Sequence, residues 1–379
     1  MKIKERKTFS LKNTFCIFVL AILLNIKYSY AIELYLDFFT RPTKAENVLL
    51  QTPEYYDGRF FFIQDGKMFL FEKNRIQNPI EITIGQTPMS EIYRSKNFLF
   101  CSDDSKVVEI SRYGVEKEED IPFPCITPPV QINGKIYSVD LKGNVCYISE
   151  SEKKCIKLRE EKFGEIKLLE ISDPKILEYK KNIIVPYENE IFIVSEDLRV
   201  RYKVLEFEKS NRINSISVIG NKLYVSTKNS ISVFNLQKEG EVIKTIEIST
   251  TKIEEITGAD FTEDLIVFTY KQGFGVIRNG KIFLKPIKGI IDISYPAIQG
   301  ENLFFIAQFG EKVGRIFGPR KNSLIVVSLK DKKPKIKKEY ILHAFSRKIK
   351  ISGSRLYFLT DDSTLYVFRI FSGKEENLL

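Results

Sequence analysis

The stretch RINSISVIGNKLYVSTKNSISVFNLQKEGEVIKTIEIST occupies residues 212–250 and decides the fold. It contains four runs of β-branched, aliphatic and aromatic residues: NSISVIG, KLYVST, SISVFNL and EVIKTIEI. Polar turns separate these runs at residues 220–221, 228–229 and 238–240. Such residues favour strands, and turn residues at short intervals favour hairpins. The stretch therefore predicts a four-stranded antiparallel meander.

The same unit recurs along the chain. The first apolar residue of each predicted second strand marks the repeats, at Phe60, Phe98, Ile136, Ile183, Leu223, Leu265, Leu303 and Leu356. Successive marks are 38 to 53 residues apart, and two Asp-Asp-Ser copies lie 258 residues apart, which is six times 43. A period near 40–45 residues with four strands per unit is typical of propeller blades. The sequence predicts an all-β, eight-bladed β-propeller, with seven blades as the nearest alternative.

The two ends of the chain carry complementary parts of one blade. The last unit has its third strand at residues 365–371 and then only a short tail. The run IELYLDFF, residues 32–39, precedes the first full unit and has no local partner. We expect this run to supply the outer strand of the last blade, which would close the ring and leave no free edge at the seam.

The N-terminus has the pattern of a secretory signal peptide. Basic residues precede a short apolar run at residues 15–24, and the small residues Ser29 and Ala31 suit cleavage after Ala31. An uncleaved membrane anchor is the alternative, whereas Cys16 is misplaced for lipid attachment. Residues 1–31 hold six of the 59 Lys/Arg and one of the 49 Asp/Glu residues, so the remainder has a formal net charge of +5. We expect a single propeller domain at residues 32–379, exported to the periplasm or beyond and soluble after cleavage.

Four cysteines remain after this segment, and an even number in an exported chain permits two disulfides. A two-residue turn at Glu150 and Ser151 would place Cys146 directly opposite Cys155, at a non-hydrogen-bonded position where strands are closest. The sequence therefore predicts a cross-strand Cys146–Cys155 disulfide. A bridge between Cys101 and Cys125 follows only by elimination, and buried free thiols are the alternative.

The repeats resemble those of two related propeller groups. Residues 133–148, NGKIYSVDLKGNVCYI, and residues 354–375, with their final turn at Gly373 and Lys374, resemble the quinoprotein-type (PQQ-like) repeat. Residues 222–248 look like the related Tyr-Val-Thr-Asn (YVTN) repeat of surface and envelope propellers. The chain lacks the tryptophans and the adjacent cysteine pair of the quinoprotein enzymes, and it lacks the Trp-Asp pairs of WD40 repeats.

This resemblance fits best the non-catalytic envelope propellers, which include the eight-bladed scaffold of the outer-membrane β-barrel assembly machinery. That scaffold is usually a lipoprotein, and the lipid-attachment cysteine is missing here. The resemblance implies a monomeric, non-enzymatic scaffold that binds envelope proteins. The alternatives are a quinone- or metal-dependent oxidoreductase that uses the central channel, and a carbohydrate- or surface-binding propeller. A net charge of +5 is too small to predict nucleic-acid binding.

The sequence predicts no catalytic residue, cofactor or metal site. His343 is the only histidine and has apolar neighbours, so we expect a structural role for it. Asp103, Asp104, Asp361 and Asp362 fall where other units carry turn residues, and Asp favours turns by bonding the local backbone. A calcium loop would require further oxygen ligands. We therefore interpret these carboxylates as turn residues that add negative charge to one rim of a binding face.

Two segments look like interaction surface. Residues 308–322, QFGEKVGRIFGPRKN, enlarge the connection between the second and third strands of unit 7. Aromatic residues and arginine anchor protein interfaces, so the predicted partner contacts are Phe309, Lys312, Arg315, Phe317, Arg320 and Lys321, together with the four aspartates on the same face. Residues 329–340 carry six lysines at the next turn, on the opposite face. They form either a solvated hairpin or a peripheral contact with an anionic membrane surface or an acidic partner.

Overall fold

The computed structural model describes residues 33–40, 53–56, 58–64, 66–72, 79–125, 127–158, 175–187, 189–199, 201–207, 213–238, 241–247, 255–313, 316–331 and 333–371. The predicted signal peptide at residues 1–31 lies outside them. So does the run at residues 163–171, whose pattern leaves helix and strand open. Within the described ranges the regular elements are strands, apart from one 3₁₀ turn at Leu236–Lys238.

The described strands form eight antiparallel sheets, one for each predicted unit. The chain starts with β1 (Glu33–Thr40). Blade 1 has β2 (Glu54–Tyr56), β3 (Arg59–Gln64), β4 (Lys67–Glu72) and β5 (Ile80–Thr83). Blade 2 has β6 (Tyr93–Arg94), β7 (Phe98–Cys101), β8 (Lys106–Ser111) and β9 (Gly114–Asp120). Blade 3 has β10 (Val130–Ile132), β11 (Lys135–Val139), β12 (Asn144–Ile148) and β13 (Lys153–Lys157). Blade 4 has β14 (Leu177–Tyr179), β15 (Asn182–Tyr187), β16 (Glu190–Ser195) and β17 (Arg201–Glu206).

The second half of the ring follows the same order. Blade 5 has β18 (Ile213–Ile219), β19 (Lys222–Thr227), β20 (Ser230–Asn235) and β21 (Glu241–Glu247). Blade 6 has β22 (Ile256–Phe261), β23 (Leu265–Tyr270), β24 (Gly273–Arg278) and β25 (Lys281–Pro286). In blade 7 the first strand is split into β26 (Ile290–Ile293) and β27 (Ala297–Gln299), before β28 (Asn302–Val313), β29 (Ile316–Ser328) and β30 (Lys335–Leu342). Blade 8 has β31 (Lys350–Ser352), β32 (Arg355–Leu359) and β33 (Leu365–Phe371), and β1 completes it.

The core consists of apolar clusters between neighbouring blades. The eight clusters of buried residues in the described ranges each join two consecutive blades around the ring. Second and third strands are therefore buried on both faces, as in β23, where all six residues are buried. Strands covered on both faces read as continuous apolar runs. All eight residues that mark the repeats lie in second strands and are buried.

The seam of the ring closes as the sequence predicts. β1 pairs antiparallel with β33, from Glu33 opposite Phe371 to Thr40 opposite Leu365. On the other side of the seam, Phe60 and Phe62 of blade 1 pack with Tyr357 and other buried residues of blade 8. The two chain ends therefore share one sheet, and that sheet packs on the blade that follows it.

Both cysteine pairs form disulfides. Cys146 and Cys155 are directly opposite across β12 and β13, with Cα atoms 4.0 Å apart. The turn between them is the predicted one, because the Ser149 N–H bonds the Glu152 carbonyl at 2.9 Å. Cys101 at the end of β7 bonds Cys125 in the segment between blades 2 and 3, with Cα atoms 5.6 Å apart. This second bridge fastens a between-blade connection to blade 2.

Candidate protein-binding surfaces

The antiparallel blade order places the connecting turns on two faces of the ring. Turns between second and third strands and the connections between blades share one face, which we call the upper face. Turns between first and second strands, and between third and fourth strands, share the lower face. The Asp-Asp-Ser turns and the enlarged segment of blade 7 therefore lie on the upper face, and the lysine-rich turn lies on the lower face, as predicted.

The enlarged segment of blade 7 is a β-hairpin extension where the sequence suggests a loop. β28 and β29 stay paired from Asn302 opposite Ser328 to Val313 opposite Ile316. The glycines and Pro319 suggest a loop, but Gly310 pairs with Pro319 directly beside a β-bulge, and bulges are places where strands tolerate proline. Continuous pairing therefore carries the backbone well beyond the blade.

The outer part of this hairpin has no neighbouring strand among the described residues. β26 pairs with β28 only as far as Phe309, and β30 pairs with β29 only as far as Asn322. Beyond these points four residue pairs form a two-stranded ribbon, which we call the blade 7 ribbon: residues 310–313 and 316–319, with Arg320 in the bulge. A ribbon of two strands has two open edges and little stability of its own.

The predicted contact residues divide between the base and the ribbon itself. Phe309 packs on the core between blades 6 and 7, and the Lys321 ammonium lies 5.5 Å from the centre of its ring. Lys321 also pairs with Glu339 of β30 at 2.5 Å. Burial opposes ionisation of Glu339, yet this pairing holds its pKa below the usual value. Lys312 lies opposite Phe317 in the ribbon, Arg320 lies in the bulge, and Arg315 lies outside the described residues.

The Asp-Asp-Ser copies are equivalent turns. In each turn the residue before the first Asp bonds the residue after Ser: Ser102 N–H to the Lys106 carbonyl at 2.9 Å, and Thr360 N–H to the Thr364 carbonyl at 3.0 Å. Ser105 and Ser363 have φ values of 58° and 62°, the left-handed conformation that completes the turn. Gly143 takes the equivalent position in blade 3 with φ 74°. The repeat of the sequence is therefore a repeat of turn geometry.

The two aspartates of the blade 8 turn have different environments. The Asp362 carboxylate accepts hydrogen bonds from Thr360 Oγ1 at 2.6 Å and from the Thr364 N–H at 3.3 Å. Burial raises the pKa of Asp361, although Arg347 opposes the shift. The backbone N–H of Asp361 bonds the Phe345 carbonyl, and that of Asp103 bonds the Thr87 carbonyl. These contacts tie each turn to the preceding between-blade segment.

The lysine-rich turn is exposed on the lower face. Lys330 and Lys333 lie in the turn, and Lys335 begins the exposed outer strand β30. Lys335 pairs with Asp331 at 2.8 Å. His343 lies just after β30, at the upper-face end of that strand, and is exposed. In the part of the chain that is described, no three His, Cys, Asp or Glu side chains are grouped so as to hold a metal ion.

A further cluster on the lower face escapes sequence analysis. Tyr55 and Tyr56 end the first strand of blade 1, and each ring is covered by an arginine from a neighbouring blade. The Arg355 guanidinium of blade 8 lies 4.7 Å from the centre of the Tyr55 ring, and that of Arg94 in blade 2 lies 4.4 Å from the Tyr56 ring. We call these four residues the Arg–Tyr rim. No local pattern reveals it, because its members come from three blades.

A partly buried ionic cluster adjoins the rim through Glu54, the residue before Tyr55. The Lys348 ammonium is 2.9 Å from one Glu91 oxygen, and Lys350 is 3.8 Å from the other. Lys350 also pairs with Glu54. Burial works to lower the pKa of Lys350, but the charges of Glu54 and Glu91 prevail and raise it. Two lysines and two glutamates thus balance in charge across blades 8, 1 and 2.

Comparison with known proteins supports the fold. No protein-family model matches this sequence, and no curated protein matches it. The structure is similar to BamB from Moraxella catarrhalis, with a TM-score of 0.68 and 9% identity over 89% of this chain and 100% of that one. It is also similar to the computationally designed Ika8 protein, with a TM-score of 0.61 and 11% identity over 87% of this chain and 98% of that one. The chain is an eight-bladed β-propeller. At these identities the likeness shows the fold alone, and function must be argued from sites.

Proposed function

We propose that this chain is an exported, non-enzymatic β-propeller that binds protein partners as a scaffold in the cell envelope. In this proposal residues 1–31 are a signal peptide and residues 32–379 form the exported domain. The observation that carries it is the blade 7 ribbon, a paired backbone extension that has no neighbouring strand at either edge among the described residues. Open strand edges bind extended segments of other proteins by adding a strand.

The disulfides support the proposed compartment, and the fold similarity supports the proposed class. Two disulfides favour an oxidising compartment, because cytosolic proteins rarely keep them. The fold similarity to BamB agrees with the resemblance of the repeats to envelope propellers. No helix in the described ranges is both long and apolar enough to cross a membrane.

Capture of partners from an envelope extract tests the proposal. The double variant Phe317→Ala with Arg320→Ala removes the aromatic and arginine side chains of the ribbon segment. The control, Ile282→Ala with Lys285→Ala, removes one apolar and one basic side chain that are exposed on the outer strand of blade 6. We expect the first variant to lose the partner and keep its Tm, whereas the control keeps both. Equal recovery of the partner by both variants would overturn the role of the ribbon.

The absence of catalysis is tested on the purified protein. We expect an absorbance spectrum without a visible chromophore and a metal content well below one ion per chain. A stoichiometric metal or a bound quinone would overturn the non-enzymatic proposal and favour the oxidoreductase alternative.

Fractionation of cells before and after osmotic shock tests export. Retention of the protein in the cytosol would contradict the proposed export.

A further inference from the structure

The Arg–Tyr rim presents two arginines whose orientation is fixed by the fold. Each guanidinium carbon lies over the face of a tyrosine ring, and a guanidinium held in this way keeps in-plane N–H donors for a ligand. Arg94 is held further by a hydrogen bond of 3.4 Å from Nη1 to the Tyr55 carbonyl. Tyr55 in turn packs on Phe60, with ring centres 4.6 Å apart. The arginines are therefore pre-organised for bidentate binding of an anion.

In the described part of the chain, no carboxylate neutralises the rim by direct pairing. Among the described residues neither Arg94 nor Arg355 has a carboxylate within ion-pair distance. The nearby carboxylates of Glu54 and Glu91 are bound by Lys350 and Lys348. Arg94 is exposed and Arg355 is partly exposed. The rim thus combines positive charge with aromatic surface, the composition of anchor sites in protein interfaces.

The arrangement favours two separate anionic groups on one ligand. Tyr55 and Tyr56 are consecutive residues of a strand, so their side chains point to opposite sides of β2. The arginines that cover them accordingly lie on opposite sides of this strand and belong to different blades. Such a pair fits two carboxylates spaced along an extended segment better than it fits one compact phosphate.

The surroundings of the rim argue against a membrane surface. The lower face carries the exposed lysines of the blade 7 turn, Lys330, Lys333 and Lys335, but it also carries exposed acidic residues at the first turns of blades 6 and 7, namely Glu263, Asp264 and Glu301. Binding to an anionic bilayer needs a broad positive field, and these acidic residues would oppose it. A localised positive site on a face of mixed charge suits a peptide with defined acidic positions.

We propose that the Arg–Tyr rim binds an acidic segment of a protein partner, each arginine holding one carboxylate of that segment. This inference rests on the proposed function only in taking the ligand to be a protein segment. It does not depend on the blade 7 ribbon, which lies on the other face. The rim would give the scaffold a second docking surface.

The test uses the purified chain and a fluorescein-labelled decapeptide of alternating glutamate and serine, with a glutamine-for-glutamate peptide as control. We expect saturable binding of the glutamate peptide alone, weakened by salt. Arg94→Gln and Arg355→Gln should each weaken binding about tenfold, and the double variant should abolish it. Arg112→Gln should change nothing, although Arg112 also stacks on an exposed tyrosine, Tyr113, at an outer turn of blade 2.

Lysine variants separate geometry from charge. Arg94→Lys and Arg355→Lys keep the charge but lose the planar fork, so we expect binding close to that of the glutamine variants. They also serve where a glutamine variant does not fold, as judged by its melting curve. No binding of the glutamate peptide by the wild type up to about 1 mM, or equal losses in Arg112→Gln, would overturn the proposal. Binding to phosphatidylglycerol vesicles that requires Arg94 would assign the rim to lipid instead. Neither result would alter partner capture through the ribbon.

Discussion

The hydroxyl of Tyr340 binds both backbone polar groups of Leu34, although the two residues lie at opposite ends of the chain. It donates to the Leu34 carbonyl at 3.0 Å and accepts from the Leu34 N–H at 3.2 Å. Tyr340 belongs to the outer strand of blade 7, and Leu34 to the N-terminal strand that completes blade 8. This contact joins the closing strand to the neighbouring blade as well as to its own sheet.

Removal of this hydroxyl should weaken the closure of the ring. Tyr340→Phe keeps the ring but leaves a partly buried N–H and carbonyl of Leu34 without this partner. We expect a loss of about 1–3 kcal/mol in the free energy of unfolding, measured as a lower urea midpoint with unchanged m. Tyr113→Phe is the control, because Tyr113 is 74% exposed and its hydroxyl should contribute little. An unchanged midpoint in Tyr340→Phe would show that the contact does not stabilise the seam.

The closing strand itself can be removed and returned. A chain that starts at residue 32 keeps β1, whereas a chain that starts at residue 41 loses it and exposes the edge of β33. We expect the first chain to be monomeric and the second to have a lower Tm and to associate through the open edge. A synthetic peptide of residues 32–41 should bind the shorter chain and raise its Tm, and a scrambled peptide should not. Equal Tm values for the two chains would contradict this account of closure.

The period, the blade number, the closing strand and the Cys146–Cys155 pair can all be predicted from the sequence. Each depends on local hairpins, whose turns and apolar runs can be read in short windows. The Cys101–Cys125 bridge is different, because it depends on the path of a between-blade segment. The blade 7 ribbon also looks like a loop in the sequence, because glycines and proline are uncommon within strands. The structure pairs Gly310 with Pro319 beside a β-bulge, and a sequence pattern does not reveal such a bulge.

The Arg–Tyr rim shows where sequence reasoning ends for the candidate sites. Tyr55, Arg94 and Arg355 are brought together only when eight units close into a ring of definite order. Nothing near any one of them in sequence marks it as special. Sites that span blades must therefore be found in the structure, whereas the blades themselves are evident in the sequence.

The two disulfides should contribute unequally to stability. They close loops with sequence separations of 9 and 24 residues, and the chain-entropy model gives about 2.6 kcal/mol for the shorter loop and about 3.5 kcal/mol for the longer. Cys101 and Cys125 are also fully buried, so serine at either site would bury a hydroxyl. We expect Cys101→Ser with Cys125→Ser to lower the urea midpoint more than Cys146→Ser with Cys155→Ser. The reverse order would show that native packing, and not loop length, decides their effect.

The adjacent aspartates of the blade 8 turn should respond in opposite ways to neutralisation. Asp362 accepts two hydrogen bonds within the turn, so Asp362→Asn should lower the free energy of unfolding by about 1 kcal/mol. Burial raises the pKa of Asp361, which means that the folded state holds the proton more tightly than the unfolded state. The contribution of Asp361 to the free energy of unfolding is therefore most favourable below the ordinary aspartate pKa, near 4. It is lost as the pH rises through the raised pKa of the folded state.

Asp361→Asn removes the loss of stability that accompanies ionisation of Asp361, because asparagine does not ionise. The backbone N–H of residue 361 can still bond the Phe345 carbonyl. We expect Asp361→Asn and the wild type to unfold at the same urea concentration near pH 3, and the variant to be slightly more stable at pH 7. Urea midpoints measured across this range check both signs. A calcium-dependent rise in Tm that is lost in either variant would favour a metal role for the pair. Because Asp362 already bonds Thr360 and Thr364, we expect calcium to leave the Tm unchanged.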